Sequence, residues 1–287
     1  MSLPDWLRLL LLAAIWGGSF VFLRIVAPAL GPIVTADLRV LIAWAALQLY
    51  FRAIGLDVHW RRFWRQYVVI GIFNGALPFF LFAFAALHIP ASYSAILNAT
   101  SPLFGALFSA FWLGEKITAQ KILGFFLGLA GVALVTRLGS GAIGTMALWA
   151  IAACLGAACC YGISSTYAKG FAGGANPKAI AGASQLAAGL LLLPLIPLAP
   201  PPGPITVNIA LSMLTFALLC SGWAFLLYFR LITDVGATKA LTVTFLMPAF
   251  TMIWSALFLG ERVTAETILG CVLVLCGTGL VVRRGKG

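Results

Sequence analysis

Residues 102–137 read PLFGALFSAFWLGEKITAQKILGFFLGLAGVALVTR, and residues 248–283 read PAFTMIWSALFLGERVTAETILGCVLVLCGTGLVVR. The two stretches align without a gap, and 18 of their 36 pairs are identical. Shared apolar composition can match leucine to leucine. It cannot place Pro102 against Pro248, Ser109 against Ser255, Gly114-Glu115 against Gly260-Glu261, or Gly124 and Gly131 against Gly270 and Gly277. The chain is therefore an internal duplication. Upstream the match fades but persists: Ala91-Ser92 stands opposite Ala237-Thr238, and Trp16-Gly17-Gly18-Ser19 resembles Tyr161-Gly162-Ile163-Ser164. This predicts two units, 1–140 and 141–287.

Around that repeat, 62% of the 287 residues are hydrophobic and 9% charged, with a mean hydropathy of +1.07. Such a chain cannot hide its apolar surface from water, which points to a lipid bilayer as its solvent. At about 20 apolar residues per span it holds roughly ten membrane helices, with no room for a soluble domain. Breaks at Pro, Gly and charge clusters predict helices over 6–27, 33–53, 66–87, 91–113, 118–136, 144–168, 178–199, 206–229, 235–259 and 265–282. The fold class is all-α, polytopic, with five helices per repeat. Five is odd, so the second copy is expected to enter the membrane from the opposite face. The first helix lacks a small-residue cleavage site and reads as a retained span, not a leader.

The formal net charge of +11 would suggest nucleic acid in a soluble protein, but here the basic residues lie between apolar runs and set topology. With both termini on one side, that side carries 14 of the 18 Lys and Arg residues. The other side holds Arg24, Arg39, Arg137 and Arg262. The asymmetry predicts cytoplasmic termini. Six cysteines inside apolar runs have neither metal-finger spacing nor loop placement suited to disulfides, and read as packing residues. No His-Glu-x-x-His, Gly-x-Ser-x-Gly, acidic pair or phosphate-binding glycine loop is present, so neither an enzyme nor a resident metal or cofactor is expected.

The repeated Pro-x11-Gly-Glu-(Lys/Arg)-(Ile/Val)-Thr-Ala block, with Ile15-Trp16-Gly17-Gly18-Ser19-Phe20 and Leu38-Arg39, resembles the EamA family of the drug/metabolite transporter superfamily. The resemblance covers nearly the whole chain. It is most like the bacterial aromatic amino-acid exporters, which implies a multi-pass inner-membrane carrier moving amino acids or similar metabolites. A drug or cation efflux carrier, or a narrow solute channel, remains the alternative. Inverted halves able to exchange conformations are the physical basis of alternating access.

Polar side chains at membrane depth are costly unless they face another helix or a wet space, so they nominate the solute path. Ser94, Asn98 and Ser101 recur as one stripe on the fourth helix, and Thr242 stands on its repeat mate beside Thr238 and Thr244. Trp16 and Ser19, Tyr161 and Ser164, Asn74 and Phe79, and Trp223 complete an expected aromatic and hydroxyl wall; helix-to-helix hydrogen bonding is the competing reading. Pro78, Pro102 and Pro248 are expected to kink helices, and Asp37 with Arg39 either gates the outer mouth or snorkels. Glu115 and Glu261 read as caps paired with surface bases. Gly71-x3-Gly75 and Gly124-x3-Gly128 allow close helix approach, with a homodimer left open. With Asp37 near one interface, facilitated movement fits better than strong proton coupling.

Overall fold

The structure, a computed structural model, describes residues 1–137, 144–240 and 242–282, without the side chains of Arg137, Ala237 and Thr238. The expected unit boundary at 140/141 and the bases Arg283, Arg284 and Lys286 lie outside the described residues, as does the side chain of Thr238. In chain order, α1 is Leu3–Leu30, α2 Pro32–Ala53, α3 Trp60–Ala85, α4 Ala91–Leu113 and α5 Ala119–Arg137. The second half follows as α6 Thr145–Phe171, α7 Pro177–Leu198, α8 Val207–Val235, α9 as the short Ala237–Ala240 and the longer Val243–Leu259, and α10 Ala265–Val282. Among the described residues nine helices are long and apolar enough to cross a bilayer, and a tenth, Val243–Leu259 of α9, is shorter; none forms a strand.

The repeated Gly-Glu block has a local reason. Gly114 (φ 69°) ends α4 and Gly260 (φ 65°) ends α9 in the left-handed region, where a Cβ is strained. The next amide closes each end alike, Glu115 N donating to Ser109 O and Glu261 N to Ser255 O. Short connections then force neighbouring helices antiparallel. Arg8 pairs with Asp234 where α1 starts and α8 ends, while Gly203 N donates to Ala29 O at the opposite end, so α1 and α8 run alongside each other over their length.

Helix contacts repeat when the halves are exchanged: α1 packs on α9 as α6 packs on α4, and α2 packs on α8 as α7 packs on α3. Glycines make the closest of these contacts possible. A Cβ at Gly17 would meet Phe250 and Thr251, and one at Gly162 would meet their repeat mates Phe104 and Gly105. Between α5 and α10, Gly124 lies against Gly277 while Gly131 lies against Gly270. Gly71 and Gly75 press on Ser184, Ala187 and Ala188 of α7. Both small-residue motifs are thus used within the chain.

Candidate functional site

Two helices are wound wider at equivalent places. In α3 a π-helical turn spans Ile72–Ala76, and in α8 one spans Phe216–Trp223, covering the repeat mates of the first. In α3 the cause is visible in the sequence. Pro78 has no N–H for the Asn74 carbonyl and its ring crowds that oxygen, so the regular ladder cannot run through. π-turns of this kind redirect side chains and recur at functional sites.

The α8 turn ties α1 and α2 together. The Cys220 carbonyl accepts from Trp16 Nε1 at 3.1 Å, and Cys220 Sγ donates to Ile15 O at 3.3 Å. One residue on, Ser221 Oγ accepts from Arg39 Nε at 2.8 Å. The Arg39 guanidinium carbon lies 3.8 Å from the centroid of the Phe79 ring of α3 and 4.4 Å from that of Phe216 of α8. Such contacts are each worth about 2 kcal/mol when desolvated, which helps to hold a cation at depth. Arg39 is only 7% exposed and sits about 10 Å along α2, so it does not snorkel. Asp37 is also buried, at 1%, with Oδ1 unpartnered.

The structure brings some expected site residues together and separates others. Phe79 joins Arg39, although the sequence reading gave them different roles. Tyr161 stacks on Phe82 and packs against the cluster containing Phe79, and Trp16 packs on Tyr228 and Phe225. Ser19 is satisfied locally by the Trp16 carbonyl, Ser164 is buried in α6, and Asn74 is half-buried inside the α3 turn. The stripe on α4 is interrupted: the helix stops at Asn98 and restarts at Ser101. Pro102 removes the amide that would serve the Asn98 carbonyl, and Ser101 Oγ replaces it at 2.6 Å. Ser94 faces Cys154 of α6. Pro248 lies inside α9 without ending its longer helix, Thr242 is exposed and bonded to Lys239 O, and Trp223 is 47% exposed. None of these last three makes a described contact with Arg39.

Two carboxylates close the ends of the bundle, and their partners escaped the sequence reading. Glu261 accepts from Ala91 N at 2.8 Å and from Ser92 N and Oγ at 3.4 Å, capping α4, and lies 3.7 Å from Arg24 of α1. Its neighbour Arg262 is not the partner. Glu115 pairs with Lys169 of α6 and with Lys121, at 3.5 Å, rather than with Lys116. The Lys169 hydrogen bond holds the Glu115 carboxyl below the usual carboxylate range, with the Lys169 and Lys121 charges adding to it. Glu115 and Glu261 are repeat mates, and Lys169 follows Tyr161-Gly162 at the interval by which Arg24 follows Trp16-Gly17. That spacing was the available signal. Among the described residues no three His, Cys, Asp or Glu side chains gather as metal ligands.

A multi-pass helical bundle with matched halves and a buried polar node at mid-chain contacts is the architecture of a membrane carrier. The chain belongs to the EamA-like transporter family, whose pattern matches twice, over residues 6–137 and 148–283. It is 26% identical to the uncharacterized transporter YvbV of Bacillus subtilis, over 98% of this chain and 92% of that one. It is 24% identical to a probable terminal-alkyne amino-acid exporter of Streptantibioticus cattleyicolor, over 100% and 96% of the two chains. A solved crystal structure aligns over 95% of both chains with a TM-score of 0.67 at 20% identity, a likeness of fold.

Proposed function

We propose that the protein exports amino acids, aromatic and other neutral ones, or related small metabolites by alternating access, across a bacterial inner membrane with both termini cytoplasmic. The observation that carries this reading is the pair of repeat-related closures, Glu261 with Arg24 and the α4 N-terminus at one end, Glu115 with Lys169 at the other. Opening one while the other holds would exchange the conformations of the two units, 1–140 and 141–287. The Glu261 side chain is 11% exposed against 35% for Glu115, which we read as the far end closed.

Inversion of the units has support in α5 and α10. Contacts of Gly124 with Gly277 and Gly131 with Gly270 are the register of antiparallel helices related by a two-fold axis perpendicular to them. In a bilayer that axis lies in the membrane plane. Amino acids are the favoured cargo because of the exporter named among the relatives and the aromatic lining around Arg39. The solute is expected to move down its own gradient. In liposomes, flux should saturate and show counterflow. Absence of flux for every amino acid would overturn the cargo, and linear flux without counterflow would mark a channel. Proton coupling is a second reading, favoured by the enclosed Asp37 carboxyl, which could exchange a proton as the bundle opens.

A further inference from the structure

We propose that Arg39 is the docking point for a carboxylate of the transported solute, which makes the cargo class small carboxylate-bearing molecules; this rests on the carrier reading above. Arginine offers five N–H donors in a planar fork suited to a carboxylate. Arg39 uses one of them, Nε to Ser221. Its two terminal nitrogens make no hydrogen bond among the described residues, which leaves four of its five donors for a ligand.

Among the described residues no carboxylate forms an ion pair with this cation. Of seven acidic residues, Asp5, Asp57, Asp234, Glu115 and Glu261 pair with other bases. Glu266 is exposed at the start of α10, and Asp37 forms no ion pair. A buried charge without a partner is expensive, and two rings with one hydroxyl compensate it only in part. A solute carboxylate would complete the set with a bidentate pair. The position suits a carrier as well. Arg39 bridges the two halves, touching Phe216 and Ser221 within the α8 turn and Phe79 of α3 just beyond its turn. An anion held there is bonded to the elements that would shift when the halves exchange, and its arrival would release Arg39 from relying on Ser221 alone.

The test is counterflow by the full-length protein in liposomes with L-phenylalanine and with its methyl ester, which keeps the ring and amine but lacks the carboxylate. Wild-type protein should favour the acid at least tenfold. Arg39→Gln should lower exchange of the acid by about tenfold to a hundredfold, the loss of a charge-assisted bond, while ester flux changes less than twofold. Arg39→Lys keeps the charge without the fork and should raise KM for the acid more than it lowers kcat. Equal losses for acid and ester in Arg39→Gln, or no discrimination by the wild type, would overturn the proposal. If Arg39→Gln does not fold, Arg39→Lys and the wild-type ratio decide it. Counterflow of other solutes, such as organic cations, with neither probe carried would overturn this cargo class and leave the carrier reading standing. Counterflow of no solute would remove the carrier reading itself.

Discussion

Replacing Glu261 by Gln removes the charge that, in the proposed mechanism, closes the far end, while retaining an oxygen for the Ala91 amide. The wild-type carboxylate accepts from Ala91 N at 2.8 Å, with weaker contacts to Ser92 at 3.4 Å and to Arg24 at 3.7 Å. A hydrogen bond to a charged group contributes about 1.5–3 kcal/mol, and a partly exposed ion pair about 1 kcal/mol or less. Keeping one neutral acceptor offsets part of this, leaving a loss of about 2 kcal/mol from the closed state. That corresponds to roughly a thirtyfold shift in the ratio of closed to open protein. Ser94→Cys places a thiol on α4, one turn below the closure and among buried groups. A membrane-impermeant maleimide, read residue by residue by mass spectrometry so that native thiols do not interfere, reports how often that end opens. Labelling from the far side should rise about thirtyfold in Glu261→Gln and fall in Glu115→Gln. Labelling unchanged within twofold while melting temperature drops would refute the reasoning, because the contact would then support only the fold.

Gly17→Ala sets a Cβ 2.9 Å from Met247 O and 3.0 Å from Thr251 N, both backbone atoms, and should destabilise the α1–α9 contact by about 1–3 kcal/mol in detergent melts. Gly18→Ala, whose nearest neighbour is a Trp254 ring atom at 3.8 Å, should be close to neutral. Because the folded pKa of Glu115 is depressed, its contribution is present above the ordinary carboxylate range and lost as pH falls through the folded value. Accessibility at the terminal end should therefore rise on acidification in the wild type and lose that dependence in Glu115→Gln. Asp37→Asn should leave exchange insensitive to a pH gradient and near wild-type rate if movement is facilitated; gradient-driven uptake abolished by the substitution would establish the proton-coupled reading instead.

The spans were legible because hydropathy is a local property. A run such as 265–282 leaves the aqueous phase whatever its neighbours are, and the expected boundaries lie within a few residues of the observed ones except at the start of α3 and the end of α8. Proline effects were partly legible: Pro78 and Pro102 alter the ladder as the missing amide requires, while Pro248 leaves its helix continuous. The break in α4 after Asn98 was not legible as such, although Ser101 Oγ still reaches Asn98 O at 2.6 Å and Asn98 Oδ1 at 3.4 Å.

By itself, then, the sequence determined ten apolar segments, the duplication, and the glycines that let helices touch. Tertiary structure alone decided that Arg39 lies over Phe79 and Phe216, that Ser221 receives it, and that Glu261 reaches Arg24 and α4 instead of Arg262. The reason is rotational. Helices apolar on nearly every side carry no stripe that says which face meets which neighbour, so partners are settled only when all the glycine contacts and ring packings are satisfied together.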